Sequence, residues 1–545
     1  MNGTLVLLVI IVSIAVTSLA KRRDLQVPLI LVAVGSAASF IPGMPRLELD
    51  PEIILGLVLP PLLYSAALDF SMSSLRRNIA PILRLGVGLV LVTAFAVGFF
   101  ADWLVPELTL GAALVLGAVV SPTDAVSAVT VGRKLGLPKR LLAILTGEGL
   151  LNDATALTLF TVGVAAVAGT RVVVEQPVLF FLYEVVGGVV IGLVTATVVR
   201  FVRARMYDSP LETVLGLVLP FAAYLAAEEI HTSGVLAVVV AGFVMGHHAT
   251  NVSIPTRLQE RSLWATLDML LEMFVFAYMG LQLEFVIDDV ADEGLPVHHV
   301  FAYGFAVLVV VILVRPMWVF LNWGGIRMRF DPRHGTTAQT GMNWRQKLVV
   351  SWAGMRGVVT LAAAGGVPVL TASGEPFPGR GVIQAIAFVV AVGTLLIQGS
   401  TIPFMIRRLD VADPAELERG RQQTLLARTI AADAADRALA EVAARPPAGA
   451  DPDQFEKALN RVRVSVRAQA QVEEAEEDDT GTASKIERAG AMFDAVRRRA
   501  LQAQRSALIT ARDDGVLDDE VLRAELESRD IEEAAAEQRV RRRRG

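Results

Sequence analysis

From residue 4 to residue 406 the chain is a succession of apolar runs broken by short polar stretches, at about 4–20, 26–42, 52–70, 79–105, 109–131, 139–168, 176–202, 210–229, 232–248, 262–288, 299–323, 345–370 and 380–406. A helix needs roughly 20 apolar residues to cross a hydrocarbon core of ~30 Å. Most of these runs meet that length, so the pattern predicts thirteen membrane-spanning helices, called segments one to thirteen below. The first run is followed, not preceded, by Lys21, Arg22 and Arg23. A secretory signal carries its charges ahead of the apolar stretch, so an uncleaved helix is expected.

Charge between the runs sets the orientation, because cytoplasmic loops collect Lys and Arg. The loops after segments one, three, five, seven, nine and eleven hold Lys21 to Arg23; Arg76 and Arg77; Arg133, Lys134, Lys139 and Arg140; Arg203 and Arg205; Arg257 and Arg261; and Arg327, Arg329, Arg333, Arg345 and Lys347. The opposite loops hold Arg46, Arg171 and Arg380. This alternation supports thirteen crossings, with the amino terminus outside and the carboxyl terminus in the cytoplasm.

Composition agrees with a membrane body: 53% of the 545 residues are hydrophobic and 19% charged. Cysteine is absent and there are six His, which removes disulfides, thiolate chemistry and any obvious zinc or haem site; no cofactor is expected. Of 50 Lys and Arg and 55 Asp and Glu, 23 and 28 follow Asp410, leaving 27 of each for the much longer part before it. Residues 1–410 are therefore read as the membrane domain and 411–545 as a charged, helical cytoplasmic tail. Helical stretches are expected at about 415–443, 453–475, 484–512 and 517–540. The tail is acidic overall, which argues against nucleic acid as a partner. Its terminal Arg541 to Arg544 is either solvated or in touch with anionic lipid.

Against this background a few polar residues fall where lipid would surround a single helix. Asp124 lies inside segment five, and Glu148 and Asp153 inside segment six. A carboxylate at that depth costs roughly 2.5–3.5 kcal/mol even on lenient insertion scales, and so marks function. Pro122, directly before Thr123 and Asp124, removes a ladder hydrogen bond and clashes with the preceding turn. A break is expected there, of the kind that forms ion sites in transporters. Asp124 would cap the exposed amides, and Thr123 and the freed carbonyls would offer oxygen ligands to a small cation. In segment six, Glu148 and Asn152 share a face and Asp153 is turned about 100° further round. Gly149 leaves open space one turn before Asp153. Segment twelve carries Arg356 between Gly354 and Gly357, where small residues permit a close helix approach or a second break. A buried guanidinium needs a carboxylate, and Glu148 is the first candidate. Segments five and twelve run in opposite directions, as corresponding members of an inverted repeat would. Asp268 and Glu272 in segment ten and Arg315 in segment eleven read as an ion pair fixing scaffold helices. Glu228, Glu229 and His231 at the tip of segment eight read as solvated caps or an entrance funnel.

The stretches LPPLLYSAALDF (Leu59 to Phe70), SPTDAV (Ser121 to Val126), GEGLLNDATAL (Gly147 to Leu157), SGVLAVVVAG (Ser233 to Gly242), WAGMRGVVTLA (Trp352 to Ala362) and LLIQGSTIPF (Leu395 to Phe404) carry a resemblance. They are similar to the monovalent cation:proton antiporters, in particular the NhaP-like sodium/proton exchangers, over the whole hydrophobic body. The resemblance implies an all-α plasma-membrane protein of thirteen helices, a homodimer with two crossed discontinuous helices, and electroneutral exchange of Na+ for H+. It implies Asp153 as the shared cation and proton site beside Asn152, with Thr123 and Asp124 at the crossing and Glu148 and Arg356 as an internal ion pair. Two positions depart from the family pattern. Many relatives carry Glu near Ser65 and Ser where this chain has Gly149, so the ligand set is thinner here and the preference among Na+, Li+ and K+ is open. A channel would want rings of carbonyls or carboxylates along a pore. An intramembrane aspartyl protease would want a carboxylate dyad, which Asp124 and Asp153 could imitate. Neither has the supporting features that the antiporter reading has.

Overall fold

The computed structural model describes residues 3–411, apart from 24, 43–52, 71, 170–175, 207, 249–253, 293, 323–327, 332–335 and 340–341. The chain divides after Asp413. But for Val411 and Glu418, the expected tail of 411–545 lies outside the described residues, as do Arg46, Arg171, Arg327 and Arg333.

Each apolar run folds as helix. Segments one and two are Gly3–Arg22 and Val27–Ser39. Segment three is Leu59–Leu68 behind a π-helical turn, Ile54–Val58, and segment four joins Met72–Leu83 to Val90–Leu104 through a π-helical Arg84–Leu89. Segments six to nine are Lys139–Ala168, Pro177–Arg203, Ser209–Glu229 and Gly234–His247. Segment ten is Ile254–Leu281, continued by Leu283–Asp292, and segment eleven is Val297–Asn322. Segment thirteen runs Arg380–Thr394, π-helical Leu395–Gly399 and Ser400–Leu409. Segments five and twelve are each interrupted: Leu110–Val120 and Ala125–Lys134, then Trp344–Trp352 and Val358–Gly365.

Among the described residues, eight helices are long and apolar enough to cross a membrane, and Val27–Ser39, Ile54–Leu68, Leu110–Val120 and Gly234–His247 are shorter apolar helices. Helix starts follow local chemistry. Pro at the first turn opens Val27–Ser39, Pro177–Arg203 and Ser209–Glu229, where its missing N–H is no loss. Thr109 and Ser233 cap the amides of Ala112 and Leu236. The 30-residue helix of segment six stops at Gly169, whose φ of 70° is left-handed backbone that suits glycine.

One element departs from the all-α expectation. Met328–Asp331 pairs antiparallel with Thr336–Gln339, from Met328 opposite Gln339 to Asp331 opposite Thr336. This loop has no helical periodicity, and Phe330, Thr336 and Thr337 belong to residue types that favour extended backbone.

Between apolar helices in lipid, association comes from close packing, so small residues gather at the contacts. Gly35 of segment two lies against Gly280 of segment ten, where an added Cβ would stand 3.0 Å from the Gly280 Cα. A Cβ on Gly117 in segment five would run into the backbone carbonyl of Ala94 in segment four. Segments four, five and six share one buried cluster with two, ten, eleven, twelve and thirteen, with residues such as Leu31, Leu85, Ile144, Met279, Val314, Val350 and Leu395 at its centre. Gly117→Val should therefore destabilise the protein by about 1–3 kcal/mol, the usual range for overpacking. Thermal unfolding in detergent reads this; an unchanged midpoint would mean that segments four and five do not touch here.

Candidate ion site at two interrupted helices

The two breaks meet. The Asp124 N–H donates to the Met355 carbonyl across 2.7 Å, tying the interruption of segment five to that of segment twelve. A Cβ on Gly357 would lie 2.9 Å from the Asp124 Cβ, so this approach requires glycine. Each break exposes carbonyls at the end of one half-helix and amides at the start of the next, with partial negative charge at the first and positive at the second.

Two buried arginines answer the carbonyl ends. Arg356 donates from Nε to the Val120 carbonyl at 3.0 Å and from Nη1 to the Gly354 carbonyl, while its own N–H donates to Thr394 Oγ1 at 2.9 Å. Arg315 donates from Nε to the Val350 carbonyl at 2.8 Å. Asp124 stands directly before Ala125–Lys134 and Gly357 directly before Val358–Gly365, so the carboxylate sits where two positive helix ends converge.

The remaining donors of Arg315 form a fork on Glu148, Nη2 to Oε2 at 2.8 Å and Nη1 to Oε1. Both side chains are buried, at 1% and 2% exposure. Glu148 Oε1 also accepts from Thr123 Oγ1 at 3.0 Å, and Asn152 Nδ2 donates to Thr123 Oγ1 at 2.8 Å and to the Thr123 carbonyl at 2.9 Å. The expected Glu148–Arg356 pair is thereby corrected. Glu148 takes Arg315 of segment eleven, and Arg356 stays within electrostatic reach of Glu148 while bonding to carbonyls. The reason is local: an arginine at a helix break meets open carbonyls within its own reach, whereas Arg315 comes from an unbroken helix and brings its fork to the carboxylate.

Asp153 is placed differently from every other charge at the crossing. It is 8% exposed, and among the described residues no side chain or backbone group is hydrogen-bonded to its carboxylate. Its electrostatic neighbour is Asp124. It lines a cavity of about 470 Å³, together with Thr123, Asp124 and Gly149. Ser65 and Asp69 of segment three and Asp268 and Glu272 of segment ten form further parts of the wall, and Arg133 and Lys134 also border it. Asn152 is fully buried and its Oδ1 has no hydrogen-bond partner. The structure thus brings together Thr123, Asp124, Glu148, Asn152, Asp153 and Arg356, with Ser65 and Gly149 on the same cavity.

The acids of segment ten do not pair with Arg315, contrary to the scaffold reading. Their one-turn spacing inside an apolar run was the available signal for a cavity wall; Asp69, at the end of LPPLLYSAALDF, carried none. Glu228, Glu229 and His231 do not border this cavity.

Glu148 and Arg315 should be strongly coupled. Removing either alone strands a buried charge at about 3–5 kcal/mol, and the double replacement Glu148→Ala with Arg315→Ala should cost clearly less than the two singles together. Unfolding midpoints of the four proteins test this. Additive losses would contradict the geometry.

With the geometry in place, comparison with known proteins gives a consistent picture. Residues 6–408 match the transmembrane sodium/hydrogen exchanger family. A Na+/H+ exchanger of Mycobacterium tuberculosis strain H37Rv, described as uncharacterized, is 36% identical over 549 aligned positions that cover 97% of this chain and 96% of that protein. The sodium, potassium, lithium and rubidium/H+ antiporter of Bacillus subtilis is 32% identical over 74% of this chain and 62% of its own length. Among solved structures, the sodium proton antiporter MjNhaP1 from Methanocaldococcus jannaschii at pH 8 superposes with a TM-score of 0.61 at 19% identity, covering 74% of this chain and 98% of that one. That last likeness is one of fold.

Proposed function

Because the chain belongs to the sodium/hydrogen exchanger family and is a multi-pass membrane antiporter of cations and protons, we propose that Asp153 is its single exchange site and that the exchange is electroneutral. One observation carries this reading: Asp153 borders the cavity with no hydrogen bond to its carboxylate among the described residues, while the neighbouring charges are held in place. Glu148 is locked to Arg315 and Thr123. Arg356 is bound to helix-end carbonyls. Asp124 sits at converging helix amino termini and keeps its charge. Asn152 orients Thr123 and, as an amide, takes up no proton near neutral pH.

Of the charges at the crossing, only Asp153 is then left to change state. It holds a proton or a partly dehydrated monovalent cation, and the crossing of segments five and twelve presents it to each side in turn, as in transporters whose sites lie at discontinuous helices. Thr123, Asp124 and Asn152 complete the surroundings of the cation, with Ser65 and Gly149 as accessory positions. Na+ is the first candidate, with Li+ and K+ admitted by the spacious cavity and by the cation range of the Bacillus subtilis relative. The protein works in the plasma membrane as a homodimer of thirteen-crossing subunits, amino terminus outside and tail in the cytoplasm. The cavity, bordered by Arg133 and Lys134, faces the cytoplasm.

One proton leaving for each monovalent cation arriving moves no net charge. A membrane potential, which contributes ~2.3 kcal/mol per charge per 100 mV, should leave the rate unchanged. In proteoliposomes, initial rates with Na+ as substrate should be equal at zero and at an inside-negative potassium diffusion potential. Asp153→Asn should reconstitute and give no exchange. Acceleration or reversal by the potential would mean that a second group titrates, and cation-driven proton movement in Asp153→Asn would remove Asp153 from the role.

A further inference from the structure

The cavity has two unlike walls. Segments five and six contribute Thr123, Asp124 and Asp153; segment ten, which belongs to neither broken helix, contributes Asp268 and Glu272 one turn apart. Asp268 is engaged nearby: it lies against Ser65 and within electrostatic reach of Asp69. Glu272 is the deeper of the two. Its charged neighbours are Asp124, Asp268 and Lys21, and the Lys21 ammonium is directed at Met269 Sδ, 3.3 Å away. The other ionisable groups on the cavity are Asp69, Asp153, Arg133 and Lys134.

A cation entering this space meets both Glu272 and the nine-tenths-buried Asp153, and Gly149 adds no side-chain oxygen to the lining. We propose that Glu272 is a cation-positioning residue, the carboxylate on segment ten that takes a monovalent cation from the cavity and holds it, through its remaining water, for Asp153. This rests on the assignment of Asp153 as the exchange site. A single buried carboxylate must strip most of the water from its cation. A second one on the same cavity lets that water stay while the charge is already neutralised. Glu272 therefore acts on capture and choice of the cation and leaves the chemistry of exchange to Asp153.

The test separates capture from turnover. In proteoliposomes of one orientation, with Na+, Li+ or K+ presented from the face that carries Arg133 and Lys134, Glu272→Gln should raise the cation KM about tenfold with the maximal rate within about twofold, the signature of lost ground-state binding. Glu272→Asp should recover most of the affinity. Lys21→Gln, which removes the cation beside Glu272, should shift KM in the opposite direction, by about twofold to threefold at low salt, and this second variant decides the matter should Glu272→Gln fail to fold. An unchanged KM in Glu272→Gln, or an unchanged or raised KM in Lys21→Gln, would overturn the proposal. So would loss of all exchange in folded Glu272→Gln, because Glu272 would then be a titrating site itself. Exchange that persists in Asp153→Asn would instead refute the assignment of Asp153, whatever Glu272 does.

Discussion

In hydrocarbon no backbone carbonyl or amide can be left without a partner, and two helices of this protein are broken inside the membrane body. Everything at the crossing follows from meeting that requirement. Arg356 closes the Val120 and Gly354 carbonyls, Arg315 closes Val350, Thr394 takes the Arg356 amide, and Met355 takes the Asp124 amide. Buried guanidinium groups then need compensation of their own. Arg315 finds it in Glu148, and Glu148 draws in Thr123 and through it Asn152. Each partner is fixed by the need of the one before it.

Such a chain of obligations leaves little freedom, and that is useful to a transporter. A proton moved onto Glu148 would break a bidentate pair, and one moved onto Asp124 would give up its place at two helix amino termini. Among the described residues Asp153 has no comparable attachment, and it borders the cavity together with Gly149. On the proposed reading, the same framework that makes the backbone tolerable in lipid leaves one carboxylate to titrate, and one-for-one exchange would follow without a separate device. Asp153 of the unbroken segment six borders the same cavity as Asp268 and Glu272 of segment ten.

Much of this was legible in the chain because a polar residue inside an apolar run is conspicuous in one dimension. The runs themselves, the break at Pro122, and the choice of Asp124, Glu148, Asn152 and Asp153 as site candidates all follow from that contrast. Partner choice was not legible. Arg315 and Arg356 look alike as isolated arginines in apolar runs, and only the fold shows that one lies at a helix break among open carbonyls and the other opposite Glu148. Asp268 and Glu272 have the spacing of a scaffold pair and of a cavity wall equally well. The π-helical turns at Ile54–Val58, Arg84–Leu89 and Leu395–Gly399 have no mark in composition, since a π turn differs from an α turn in register rather than in residue type. The hairpin at Met328–Asp331 and Thr336–Gln339 was hidden because periodicity is weak over four residues.

The central claim is that a single carboxylate exchanges a proton for a cation, and proton release on cation binding addresses it without any transport. Purified protein in weakly buffered detergent, held near the pH at which exchange runs, is titrated with Na+ while proton release and bound Na+ are both measured, with choline as the ionic-strength control. One proton released per cation bound, and none in Asp153→Asn, is the expected result. Two protons per cation, or release that survives Asp153→Asn, would contradict the account.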